Sequence, residues 1–168
     1  FNLITLGNIF RALFSPEQAQ QFHREALAIG EALHHPLLTE WSLIELNADC
    51  ALAGDGDAAA SHARRAIAIR NHKQVYAGIA RWCETEALLR SGEAELAIAD
   101  IARSRQHPQT LPRSEFQLLR CEAVLAEARD DLTTALVYLT TALMLARDLG
   151  LVPEHWQTSV ALGDALLR

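Results

Sequence analysis

Apolar positions along this 168-residue chain recur at steps of three and four, the spacing of helix faces rather than of strands. Near the start Leu3, Leu6, Gly7 and Phe10 form one such face, and Ala19, His23 and Ala26 form the next. The arrangement then returns. Leu43, Leu46, Asn47 and Cys50 precede Ala59, Ala63 and Ala66; Thr85 and Leu88 precede Ala97, Ile101 and Ser104; Leu119, Ala123 and Ala126 precede Ala135, Leu139 and Ala142. The alanines 19, 59, 97 and 135 stand 40, 38 and 38 residues apart. Self-similarity at this period predicts stacked helical hairpins. Gly or Ala at the crossing of each pair lets the two backbones approach without a void.

Nine helices follow from the pattern, at about 1–14, 16–34, 37–53, 57–71, 74–91, 93–105, 113–129, 131–149 and 153–167. They group as units 1–35, 37–72, 74–108 and 113–150 with a terminal helix, in a single domain spanning 1–168. Ser15 is expected to cap the second helix, with Pro16 in its first position and Gln18 completing a capping box. Asp57 is the expected N-cap of the fourth helix. Gly92 and Gly150 are expected left-handed helix ends, and His34-His35 are expected to cap the carbonyl end of the second helix. The segment from His107 to Pro112 is the longest break.

Leu3, Leu6, Gly7 and Phe10, followed by Ala19, His23 and Ala26, reproduce the W-x2-L-G-x2-Y and A-x3-F-x2-A spacings, with Leu, Phe and His in the aromatic slots. On these residues and their later echoes, the chain resembles the tetratricopeptide-repeat superfamily. Its ending, from Ala142 to Leu151 with Pro153, Trp156 and Leu162-Gly163, is similar to the helical-repeat region of large bacterial LuxR-type ATP-dependent regulators and related signalling ATPases. The resemblance implies an all-α, right-handed α-solenoid of about four helix pairs plus one helix. It implies that the first helix of each pair lines a concave groove, with Ile4, Asn8, Arg11, Trp41, Ile44, Ala48, Trp82, Glu86, Arg90, Arg120, Val124 and Glu127 facing it. The expected partner site is Asn8, Arg11, Trp41, Ile44, Trp82, Glu86, Arg90, Arg120 and Val124. The partner is a protein, a peptide or another domain of a parent regulator. The alternative is a small-molecule inducer stacked on Trp41 and Trp82, and a third arrangement has both rings filling interhelical space.

Composition narrows the chemistry. A net charge of −6 disfavours direct nucleic-acid binding, and no apolar run reaches the length of a membrane span. Phosphate-loop, G-x-S-x-G and dinucleotide-binding glycine patterns are absent, so no enzyme and no cofactor is expected. Cys50, Cys83 and Cys121 lack paired metal-ligand spacing and read as small apolar residues in a reducing cytoplasm. His23 is expected at a helix interface with its ring satisfied, and Asp55-Gly56-Asp57 as a turn rather than a calcium loop. Glu84 and Glu122 hold matching places and are expected to pair with Arg81 or Arg120. The missing initiator Met and the apolar ending predict a piece of a longer protein whose exposed ends form a weak homodimer.

Overall fold

The computed structural model describes residues 2–70, 81–106 and 111–168. Among them the chain is all-helical: α1 (Asn2–Ala12), α2 (Pro16–Ala32), α3 (Pro36–Leu52), α4 (Gly56–Ile69), α5 (Arg81–Arg90), α6 (Ala94–Arg105), α7 (Pro112–Ala128), α8 (Leu132–Asp148) and α9 (Val152–Leu166). The expected first turns of the fifth helix, from 74, and part of the His107–Pro112 break lie outside the described residues. The described residues fall into two compact units, 2–70 with 81–97, and 98–106 with 111–168. No helix among them is long and apolar enough to cross a membrane.

One turn recurs in both units. A residue in the left-handed region closes a helix at Phe14, Gly54, Gly92 and Asp130, with φ of 58°, 80°, 82° and 60°. These positions repeat at the interval of the alanines. The next amide reaches back five residues in each case: Ser15 to Phe10, Asp55 to Cys50, Glu93 to Leu88 and Asp131 to Ala126, at 2.8–3.0 Å. Four residues further on, Ala19, Ala59, Ala97 and Ala135 are all essentially inaccessible. The same closure occurs at His34 and Gly150. Carbonyls left over at a helix end are thereby satisfied, and the chain reverses within two residues.

Several expected caps differ. Ser15 is the N-cap of α2, but its side chain makes no capping hydrogen bond, so no capping box forms. The cap of α4 is Asp55, which accepts from the Ala58 amide, rather than Asp57, which sits inside the first turn. His35 caps the amide end of α3, its Nδ1 accepting from Leu38, instead of covering the carbonyls of α2. A two-residue reversal places the residue after the left-handed one at the next N-cap, whatever its type.

In the first unit α1, α2, α4 and α5 all pack against α3. Leu27, Leu43, Ile44, Leu46 and Ala66 form one core cluster there. In the second unit α8 packs against both α7 and α9, around Ala123, Leu139 and Ala165. The crossings trade volume. A Cβ added at Gly7 would lie 2.6 Å from two His23 ring carbons, so the ring occupies the space a larger residue would need. In α7 and α8, Ala123 meets Leu139 instead.

Candidate functional site

Helices α1 and α3 bring five residues together in the first unit, two buried carboxylates and three half-buried side chains. Arg11 sits one turn after Asn8 and donates to its Oδ1 at 2.6 Å. It also pairs with Glu45, and its Nε lies 2.8 Å from Oδ1 of Asp49. Trp41, one turn before Glu45 on α3, donates from Nε1 to the same carboxylate at 3.1 Å. Glu45 and Asp49 are fully buried, whereas Asn8, Arg11 and Trp41 are half-buried. Burial alone would lower the Arg11 pKa, but Glu45 and then Asp49 outweigh it and hold the guanidinium above its ordinary value. The cation is fixed in place with one side open to solvent.

His23 anchors this arrangement from below. It is fully buried, with Nδ1 2.5 Å from Oδ2 of Asp49 and Nε2 3.2 Å from the Ile4 carbonyl oxygen. The ring therefore ties α2 to both α1 and α3, as expected of a satisfied interface histidine. A second buried pair lies further along the unit. Arg70, at the end of α4, donates to both oxygens of Glu84 at 2.9 and 2.7 Å, and to Glu40 at 2.7 Å. Glu84 thus has Arg70 as a close partner, and it also forms the expected ion pair with Arg81, three residues before it on α5, at 3.9 Å.

The structure brings only part of the expected groove set together. Asn8, Arg11 and Trp41 converge through Glu45. Glu86 and Arg90 form a loose pair at 3.4 Å on α5, with Arg90 exposed. Ile4, Ile44, Ala48 and Trp82 are buried, as is Arg120 on α7, so none of these lines an open surface. For Ile44 and Ala48 the cause is the number of helices around α3. Val124 and Glu127 are half-buried, and Glu127 lies 3.4 Å from Arg168.

In the second unit a cleft of about 290 Å³ opens between the 98–105 stretch of α6, α7 and the start of α8. Ile98, Ile101 and Leu125 supply apolar walls; Arg129, Thr134 and Tyr138 stand at its polar side. Arg105 contributes to it while held by Glu115 at 2.7 Å and Glu122 at 2.5 Å. Hydrogen bonding to Glu122, and less so to Glu115, raises the Arg105 pKa against the opposing pull of burial. Glu122 is therefore committed to Arg105 rather than to Arg81 or Arg120. Asp131 caps α8 by accepting from the Thr134 amide. Hydrogen bonding to the Thr134 side chain first, and to its amide second, holds the carboxyl below the usual range.

The periodic reading missed this cleft, because its walls come from three helices and no single stretch carries it. It also missed Glu45 and Asp49. Their signal was present: two carboxylates one turn apart within an otherwise apolar run must find cations once that run is buried. Cys50 and Cys121 are buried and Cys83 half-buried, all as free thiols. Burial, followed by the nearby Asp55, pushes the Cys50 thiol up. Among the described residues no three His, Cys, Asp or Glu side chains gather as a metal site. No family model and no curated protein matches the chain, so its functional reading rests on this geometry.

Proposed function

We propose that the chain is a non-catalytic recognition module of a cytoplasmic bacterial signalling or transcriptional regulator. Its helical hairpins stack as a right-handed solenoid of tetratricopeptide type. The recurrent left-handed turn and the packing of α1 and α5 against α3 support that arrangement. The ligand is a protein or peptide segment, and the carrying observation is the Asn8–Arg11–Glu45–Trp41 convergence. Arg and Trp are the residue types that dominate binding energy at interfaces. Here both are immobilised on rigid helices before any partner arrives, which lowers the ordering cost of association. Peptides selected from a random display library on the immobilised chain are expected to lose at least about tenfold in affinity to Trp41→Ala. Circular dichroism of the variant should remain helical. Equal affinity for both proteins would remove the α1–α3 patch from the reading.

The cleft favours a second reading, a sensor of small-molecule inducers. Its volume of about 290 Å³ is at the lower end of ligand pockets, and it pairs apolar walls with a few polar groups. This seat replaces Trp41 and Trp82 as the stacking platform, since Trp82 is buried. Thermal shifts across a metabolite panel should contain a stabilising compound whose effect disappears in Ala126→Phe, which fills the cleft. A flat panel would leave the peptide reading alone.

A further inference from the structure

The polar groups lining the cleft of the second unit are of two kinds, those already paired and those left over. Arg105 donates to both oxygens of Glu122 and to both oxygens of Glu115. Asp131 accepts from the Thr134 amide and is hydrogen-bonded to the Thr134 side chain. The Arg129 guanidinium and the Tyr138 hydroxyl, by contrast, have no hydrogen-bond or ion-pair partner among the described residues. Tyr138 is half-buried, and it packs against the cluster of Ala123, Leu139 and Ala165, so the fold sets where its hydroxyl sits. Arg129 is the exposed C-cap of α7, at the rim of the cleft. The unpartnered side chains of this cleft are therefore donors, while its two carboxylates are already engaged.

We infer that the cleft binds a small monocarboxylate with an apolar body, an inference that rests on the sensor reading of this site. The carboxylate pairs with Arg129, whose planar fork suits two parallel hydrogen bonds, and accepts a further one from Tyr138. The apolar body lies along Ile98, Ile101 and Leu125. Its removal from water offsets the desolvation of the head group. Charge selects this class of ligand. One unpaired cation matches one negative charge. A phosphate dianion would leave its second charge facing Glu122 and Asp131. An ammonium would have to compete with Arg105 for Glu122 and with Thr134 for Asp131. A sugar would press unpaired hydroxyls against the apolar walls. The volume of about 290 Å³ keeps the body compact.

Octanoate, octanol and octylamine share one chain and differ only in the head group. Each is titrated into the isotope-labelled full chain at neutral pH, with binding followed by NMR at the amides of Ala126 and Thr134, which line the cleft. Octanoate is expected to bind at least about tenfold more tightly than the other two. Arg129→Met keeps the exposed stem and removes the cation. It should cost octanoate about tenfold in affinity and leave octanol unchanged. Tyr138→Phe should cost octanoate about threefold. Octanol or octylamine binding as tightly as octanoate, or octanoate binding unchanged in Arg129→Met, would overturn the carboxylate assignment. Where that binding disappears in Ala126→Phe, the sensor reading survives without it. Silence from all three probes also overturns the assignment, and the metabolite panel then decides the sensor reading separately.

Discussion

Helices α3 and α9 invert the usual assignment of polar and apolar residues. Every residue from Ser42 to Cys50 on α3 is buried, including Glu45, Asn47 and Asp49. On α9 Trp156 and Val160 are exposed while Glu154 and Thr158 are inside. Four helices surround α3, whereas α9 packs on α8. Burial is thus set by the number of neighbours, and the chemistry of each buried group must then be matched by whatever those neighbours supply. For α3 that supply is Arg11, His23 and the Ala59 carbonyl, which accepts from Asn47 at 2.9 Å. Glu154 on α9 is matched in the same way by Arg113.

The largest expected effect comes from breaking the match on α3. Asp49→Ala removes the carboxylate shared by half-buried Arg11 and fully buried His23. A loss of about 3–5 kcal/mol is expected from denaturant unfolding, because the His23 ring stays buried where water cannot replace its partner. Asp164→Ala, on the exposed flank of α9, should change stability by less than about 0.5 kcal/mol. Similar values for the two would mean that neighbour number is not what separates these helices.

The same glycine substitution sharpens the contrast. Gly7→Ala pushes a methyl group into the His23 ring and should cost about 1–3 kcal/mol, despite the better helix propensity of Ala. Gly163→Ala meets open space and should stabilise by up to about 1 kcal/mol. Adding His23→Ala to Gly7→Ala gives a coupling energy of opposite sign to the single costs, if the ring is the obstacle.

Turn chemistry yields a smaller gain. Phe14 adopts φ 58° with its side chain almost fully exposed, so its β-carbon strain is uncompensated by packing. Phe14→Gly is expected to raise stability by about 0.5–1 kcal/mol, whereas Gly54→Ala, at φ 80°, should lower it by a comparable amount. Unchanged melting temperatures in both would show that the recurrent reversal is indifferent to side chain.

These comparisons also mark what was legible in the residues themselves. The helices, the alanine period and the Gly92 and Gly150 stops follow from local spacing, and local spacing is what a helix obeys. The cap at Asp55 rather than Asp57 depends on a two-residue reversal whose geometry becomes visible only once both helices are placed. Arg70 has no spacing that links it to Glu84, because the two come from different helices. The burial of Ile44 was likewise unreadable on α3 alone. From Ser42 to Cys50, where four other helices pack on it, α3 has no solvent side for its pattern to reveal. Asn8, Arg11 and Trp41, which the repeat register does single out, are half-buried, but their meeting at Glu45 depends on how α1 and α3 are placed.

The smallest effect concerns the wall around α3 rather than α3 itself. His62, half-buried on α4, has its Nδ1 enclosed without a hydrogen-bond partner. Burial first, then the positive charges of Arg65 and Arg24, push its pKa below the ordinary value of 6.5. The unfolded chain, with His62 fully hydrated, takes up the proton at higher pH than the folded one. Between the two pKa values the unfolded state binds more protons, so stability rises with pH across that window. Above about pH 7 both states are neutral at this site and its contribution is level; as pH falls toward 5, protonation favours unfolding. His62→Gln keeps a polar side chain of similar reach and removes the titration. The melting temperature of the parent should therefore drop more between about pH 7.5 and 5.5 than that of the variant. Equal drops would assign the acid sensitivity to other groups and leave α4 as a passive wall.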